Sequence, residues 1–213
     1  MDVGSVGIWT AQLDLQPAAR AREVAAELDE LGYGALWVPE AVGRESLTHA
    51  AVLLGATSRM VVATGVANIY NRTPAAAALA QRLLADASGG RFLLGLGVSH
   101  GPMVEGMLGQ RWDKPYSRMV EYLDAMDGAF TVSPAPAEEP PRVLAALGPR
   151  MLELAGQRAW GALTYFVPVA HTPVARRHLG DGPMLMVEQA AVLSTDPKAA
   201  RDAARKHMQV YRS

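Results

Sequence analysis

The sequence predicts an α/β protein built on a parallel sheet. Two observations carry that expectation. Short apolar runs alternate along the chain with helical patterns, the arrangement of consecutive βα units. Several of the runs are nearly continuous in Val, Leu, Ile and Ala, as strands covered on both faces are. The size agrees: 213 residues, half of them hydrophobic and 19% charged, are enough for a sizeable core, exclude a disordered chain and suit one domain.

Taken in order, strands are expected at residues 6–10, 35–39, 60–68, 91–98, 142–147, 162–167 and 184–193. Helical patterns lie between them. In the first, Val24, Leu28 and Leu31 fall at i, i+4 and i+7, and Gly32 or Gly34 can end the helix. In the fourth, Met119, Tyr122, Leu123 and Met126 fall at i, i+3, i+4 and i+7. Thr73-Pro74, Thr172-Pro173 and Asp196-Pro197 read as helix starts, a side-chain oxygen capping a free N–H and proline occupying the first turn. Ser88-Gly89-Gly90 reads as a stop, and the Pro-rich stretch 133–141 as an irregular connection. About seven βα units result. They leave two architectures open: a (β/α)8 TIM-type barrel without its last unit, or an open doubly wound sheet.

Composition removes several classes of function. Net charge is -1 with no long block of either sign, so no basic stripe for nucleic acid is present. The absence of cysteine excludes disulfides, a cysteine nucleophile, iron–sulfur ligation and Cys-based zinc sites. The five histidines show no H-E-x-x-H spacing, and no metal site is expected. No signal peptide is readable at the N-terminus. The richest apolar stretch is broken by Gln81 and Arg82 and falls short of the ~20 residues a bilayer span needs, so a cytoplasmic protein without a membrane partner is expected.

In a parallel barrel, chemistry sits at the carboxyl ends of the strands. Trp9, Thr10, Glu40, Thr64, Asn68, Ser99, His100 and Tyr165 fall there and would share one mouth; strand ends are also polar simply because they meet water. Gly95 and Gly97 remove side chains where a ligand or a neighbouring backbone could come close. Their spacing is not a dinucleotide fingerprint. Gly97-Val98-Ser99-His100-Gly101 does match the G-x-S-x-G nucleophile elbow, which raises a serine hydrolase using Ser99 as a lesser alternative. Against it, Gly101-Pro102 is a poor start for the helix an elbow requires. Gly148-Pro149 and Thr172-Pro173 could open helices whose free N–H groups bind phosphate, although ordinary capping explains each equally well.

Five stretches carry a resemblance: LGYGALWVPEAVGR (31–44), MVVATGVANIYNRTP (60–74), SGGRFLLGLGVSH (88–100), PPRVLAALGPRMLELAGQRAWGA (140–162) and YFVPVAHT (165–172). With them the chain resembles the luciferase-like monooxygenase superfamily, and within it the F420-dependent oxidoreductases of actinobacterial type. The resemblance implies a (β/α)8 barrel over a single domain, 1–213, incomplete before the eighth strand, since relatives usually continue past Tyr211-Arg212-Ser213. It implies an oxidoreductase that uses F420, or alternatively FMN, to move a hydride to or from a small organic substrate. A degenerate cofactor-binding barrel without turnover is the alternative.

The same resemblance assigns roles. A non-proline cis peptide is implied at Gly65-Val66, within a bulge, Thr64 to Ala67, that supports the back of the cofactor ring. Trp9 is placed on the cofactor side. Glu40 and His100 are implied as proton donor or acceptor, and Asn68 as a contact to the ring's polar edge or ribityl chain. Gly97 and Ser99 would line the cofactor side, Gly148 and Met151 would hold its phosphate, and Tyr165 and Val167 would flank it. A homodimer is implied through the second and third helices, where Ala75 to Ala78 are small enough for close contact. Trp160 departs from the small acidic residue that relatives commonly carry before this glycine.

Overall fold

A computed structural model describes residues 1–209. The strands are β1 (Gly7–Trp9), β2 (Ala35–Val38), β3 (Val61–Thr64), β4 (Ala67–Asn68), β5 (Phe92–Gly97), β6 (Arg142–Ala145), β7 (Gly161–Thr164) and β8 (Met184–Val187). All pair in parallel, in the order β1-β2-β3-β5-β6-β7-β8, with β4 continuing β3 beside β5. The helices are α1 (Ala18–Glu30), α2 (Ser46–Leu54), α3 (Pro74–Ala87), α4 (Gly101–Gly106), α5 (Pro115–Asp127), α6 (Pro149–Arg158), α7 (His171–Leu179) and α8 (Pro197–Gln209).

Two separate apolar clusters decide between the architectures left open by the sequence. Because successive strand residues face opposite ways, Ala35, Trp37, Val61, Ala63, Leu93, Val143 and Leu163 meet on one face. Leu36, Val38, Val62, Leu94, Leu96, Leu144 and Ala162 meet on the other. All the helix residues in the two clusters belong to the second group; the first contains only strand and loop residues. A doubly wound sheet has helices on both faces. Here the sheet curls around its own inner cluster with one helical layer outside, as a barrel does. Among the described residues β1 pairs only with β2 and β8 only with β7, so the curl is open along one side.

Local chemistry explains most boundaries. Thr73 Oγ1 accepts from Ala76 N at 3.2 Å and starts α3; Gly89 and Gly90, with φ of +62° and +83°, turn the chain away after it. Asp196 caps α8 through Lys198 N at 2.8 Å. The predicted stripe of α5 is the buried one. In α1 the fully buried face is Ala21 and Ala25, with Leu31 exposed, because the small residues let the helix lie close to the sheet. Asp29, also buried, takes the N–H groups of Ser58, Arg59 and Met60 and so anchors the entry to β3. The Pro-rich connection is irregular as expected, and Gln81 Nε2 pins it by donating to Pro140 and Pro141 oxygens.

Four expectations are corrected. Thr172 does not cap a helix: α7 begins at His171 after Ala170, with no side-chain cap. Gly101 does start a helix, α4. The strand expected at 162–167 stops at Thr164, and Phe166 adopts a φ of +54° just beyond. The strand expected at 184–193 is only Met184–Val187; its one partner, β7, ends at Thr164, and without a ladder the apolar run that follows leaves the sheet.

Candidate functional site at the carboxyl ends of the strands

The cis peptide lies at Gly65-Val66, between β3 and β4. Its surroundings explain the glycines nearby. A Cβ on Gly95 would stand 2.0 Å from the Thr64 carbonyl oxygen, and one on Gly97 would stand 2.4 Å from Val66 Cγ2. Both glycines therefore make room for the bulge rather than for a ligand. Thr64, fully buried, ties the bulge down: its hydroxyl donates to Gly95 O at 2.7 Å and accepts from Gly95 N at 2.9 Å. On the inner side, Trp9 Nε1 donates to Gly65 O at 2.6 Å. A Cβ on Gly65 would come within 2.9 Å of that indole. The ring of Tyr165, after β7, tilts against Trp9 with centroids 5.0 Å apart. Trp9, Val66 and Tyr165 thus form a half-buried apolar and aromatic floor reaching across the curl.

Beside the floor lies a charged knot. Glu40, two residues past β2, has its side chain 3% exposed. Its Oε2 accepts from Asn68 N at 2.7 Å and its Oε1 from Ser46 N at 3.2 Å. Its Oε1 also accepts from the Arg72 guanidinium, which reaches Glu45 Oε1 at 2.6 Å and donates to Asn68 O at 3.2 Å. Burial opposes the charge on Arg72, but hydrogen bonding to Glu40 and the pull of Glu40 and Glu45 raise its pKa above the ordinary value. Burial opposes ionisation of Glu45, yet the Thr48 side chain, the N–H groups of Thr48 and Leu47, and Arg72 hold it down at about 2. Tyr122 donates to Arg72 O and Thr73 O, and burial pushes its phenol up to about 12. A cleft of about 350 Å³ opens beside Glu40, walled by Arg44, Glu45, Tyr70, Leu108 and Gln110.

Glu40 and Asn68 therefore meet directly. Asn68 is also the register partner of Gly97, and its Oδ1 accepts from Tyr70 N. His100 stands three residues past Gly97, exposed at the start of α4, with no hydrogen bond on its ring among the described residues. Ser99, half-buried, has a φ of +53°, and α4 follows at once, so the chain does make a strand–turn–helix there. No histidine is hydrogen-bonded to the Ser99 hydroxyl, however, among the described residues: His171 Nε2 lies against Leu147 O and His178 against Glu153. Gly148 and Met151 lie at the first turn of α6, Gly148 exposed and with nothing within 4 Å of where a Cβ would be. Val167 is half-buried beyond Tyr165, and Phe166 N donates to Glu188 Oε2 at 3.0 Å. No group of three or more acidic, His or Cys side chains able to hold a metal occurs among the described residues.

Arg72 is the residue that reading the sequence missed. Its partners lie 27 and 32 positions away, and it precedes a helix start that drew attention to Thr73 and Pro74 instead. The only signal was an arginine immediately before a capping threonine, with two glutamates after an earlier strand.

Comparison with known proteins agrees with this geometry. Residues 4–212 match the luciferase-like monooxygenase family. The chain is similar to the Mycobacterium tuberculosis protein named "Putative coenzyme F420-dependent oxidoreductase", at 34% identity over 167 residues, 78% of this chain and 45% of that protein. It thus spans about half the length of the curated relatives it matches. Its fold is similar to that of the coenzyme F420-dependent tetrahydromethanopterin reductase of Methanopyrus kandleri, with a TM-score of 0.73 at 19% identity, covering 93% of this chain and 69% of that one. It is also similar to the oxygenating constituent of 3,6-diketocamphane monooxygenase from Pseudomonas putida, solved with FMN, with a TM-score of 0.70 at 16% identity, covering 96% and 71%.

Proposed function

Since the chain belongs to the luciferase-like monooxygenase family, we propose that it is an oxidoreductase using F420, with FMN as the alternative, to exchange a hydride with a small organic substrate. The observation that carries this reading is the floor of Trp9, Val66 and Tyr165 over the Gly65-Val66 bulge. The residues fit a flat heteroaromatic ring: the glycines at 65 and 97 keep Trp9 and Val66 where bulkier residues would displace them. When bound, such a cofactor supplies two-electron chemistry, and the protein supplies orientation and a dry pocket.

This chain's residues then divide the work. Val66 and Trp9 support one face of the ring, with Tyr165 and Val167 at its flank. Glu40 is fully engaged by Arg72 and two N–H groups, so it acts as a positioning residue that fixes Asn68 at the polar edge. His100, exposed and without a ring hydrogen bond among the described residues, would hold or release the proton that accompanies hydride transfer. Gly97 and Ser99 would line the same side, and the N-terminal turn of α6, at Gly148 and Met151, would take the cofactor's phosphate.

Titration of the purified chain with F420, FMN and FAD, followed by fluorescence, tests the reading. Saturable F420 binding tighter than FMN, abolished by Val66→Asp, is the expected result; failure to bind any of the three overturns it. Binding without oxidation of the reduced cofactor by any carbonyl or alkene substrate would favour the degenerate barrel. We also place the protein in the cytoplasm; no helix among the described residues is long and apolar enough to cross a membrane. A homodimer through α2 and α3 completes the proposal. Ala77 and Ala78 are buried within the chain, but Ala75, Ala76, Leu79 and Leu83 lie exposed along α3. Light scattering at the monomer mass would remove that element.

A further inference from the structure

Six buried side-chain atoms lack a hydrogen-bond partner among the described residues, and four of them belong to three neighbouring residues: Asp14 Oδ1, Ser46 Oγ and both ring nitrogens of His49. Asp14 sits on the short 3-10 turn Gln12–Leu15 after β1. His49 and Ser46 lie three residues apart on α2, hence on one face of the helix. Asp14 Oδ1 and His49 Nδ1 are 3.2 Å apart, within ion-pair distance but out of hydrogen-bond alignment, and the side chains are 7% and 1% exposed. Gly43 closes over the pair: a Cβ there would stand 2.3 Å from Asp14 Oδ2. Its neighbour Arg44 donates to Gln16 O. The pair therefore joins the connection after β1 to α2 and to the connection after β2, the one that carries Glu40.

Packing alone does not account for this arrangement. An apolar pair of the same volume would fill the space without leaving buried polar atoms unpaired, which is costly away from water. Such groups call for a bound water, an ion or a proton-dependent role. We propose that Asp14 and His49 form a buried proton site that positions the connections at residues 10–16 and 39–45. With the imidazole neutral, the two connections stand as described above. When His49 takes one proton from solvent, the closed site has to hold an imidazolium that Asp14 only partly offsets, and the 39–45 connection loosens as the ring seeks water. The charged groups that act on His49 are Asp14 from the 3-10 turn and Arg44 from the connection after β2; the Glu45 carboxylate at the start of α2 is taken up by Leu47 N, Thr48 N and Arg72. Burial depresses its affinity for the proton, Asp14 opposes that and Arg44 adds to it; the net effect is a pKa below the ordinary 6.5. The proton is thus taken up on the acid side of 6.5, and His49 is the one buried histidine among the described residues.

Hydrogen exchange on the whole protein without added cofactor tests this, so the result does not depend on the redox reading. Rates are measured from pH 7.5 to 5 and corrected for intrinsic chemistry. Protection of residues 10–16 and 39–45 should fall as pH is lowered, with a single inflection below pH 6.5, while β5 stays unchanged. His49→Leu should remove the inflection, and Asp14→Asn should move it to still lower pH. An inflection that survives in His49→Leu, or a wild-type profile without one, overturns the proposal. Should His49→Leu fail to fold, His49→Gln takes its place, and the wild-type ring resonances supply the midpoint: a His49 that titrates at or above 6.5, or at a pH different from that of the exchange inflection, overturns the proposal, and coincident midpoints support it.

Discussion

The two flanks of the curled sheet are built differently. On the β2 to β5 flank every strand residue is buried; the connections at its carboxyl end are bound to one another through Glu40, Arg72, Asn68 and Thr64, and Asp29 holds the entry to β3 at the other end. On the β8 flank no strand residue is fully buried, and α8 has no buried residue at all. The same element types thus differ in what they have to pack against. A strand with a neighbour on each side and a helix behind it shares the core; among the described residues β8 has one neighbour, and the helix after it lies outside the apolar clusters. Cooperative stability should therefore reside in the first flank, and local opening in the second.

Glycine substitutions make the sharpest test of that contrast. At Gly95 a Cβ would meet the Thr64 carbonyl oxygen, a backbone atom, at 2.0 Å, with Val66 Cγ1 at 3.1 Å beside it. Gly95→Ala is expected to destabilise the protein by at least about 3 kcal/mol, measured by urea denaturation. At Gly182, just before β8, nothing lies within 4 Å of the same position, and Gly182→Ala should stay within about 0.5 kcal/mol. Equal effects at both sites would mean that the flanks do not differ in packing.

Next in size is the charged knot. Arg72→Met leaves the Glu40 carboxylate buried with no cation, and breaking such a pair costs about 3–5 kcal/mol. The variant should also lose affinity for the flavin or deazaflavin, because Asn68 loses its support. Acid sensitivity follows from Glu45. Its pKa is depressed from 4.5 to about 2, so the unfolded chain binds its proton first as pH falls. The stability it contributes is complete above about 4.5 and disappears toward about 2. Half-exposure of the side chain to solvent keeps this contribution small. Glu45→Gln should flatten the pH dependence of stability in that window; an unchanged slope would remove Glu45 from the account.

The sequence disclosed the first flank far better than the second. Strands covered on both faces are written as continuous apolar runs, and VVAT, ALWV and FLLGLG are such runs. The bulge was legible only through resemblance, because a cis peptide leaves no pattern of its own in TGVAN. MLMVEQAAVL reads as a ten-residue strand for the same reason FLLGLG does, yet strand length is set by the neighbour's ladder, which local composition does not record. The proposed site was half legible. Glu40, Asn68 and Trp9 fall at strand ends, where chemistry is expected. Arg72 and His49 act through partners brought near only by the curl, and a single histidine within LTHAAVLL reads as an ordinary core residue.

The smallest expected effect lies at the far end of the second flank. Asp202 pairs with Lys198 at 3.1 Å and Arg205 at 3.0 Å along α8. All three side chains are more than half exposed, so water and salt screen the pairs. Because α8 adds nothing to either apolar cluster, loss of these pairs frays the helix without loosening the sheet. Asp202→Ala should therefore leave the urea midpoint unchanged within error, a shift of under about 0.5 kcal/mol. In the same variant, amide exchange in α8 should quicken by about twofold while β5 keeps full protection. A substantial fall in the global midpoint would show that α8 is coupled to the sheet after all, and the division between the flanks would then fail at its most exposed element.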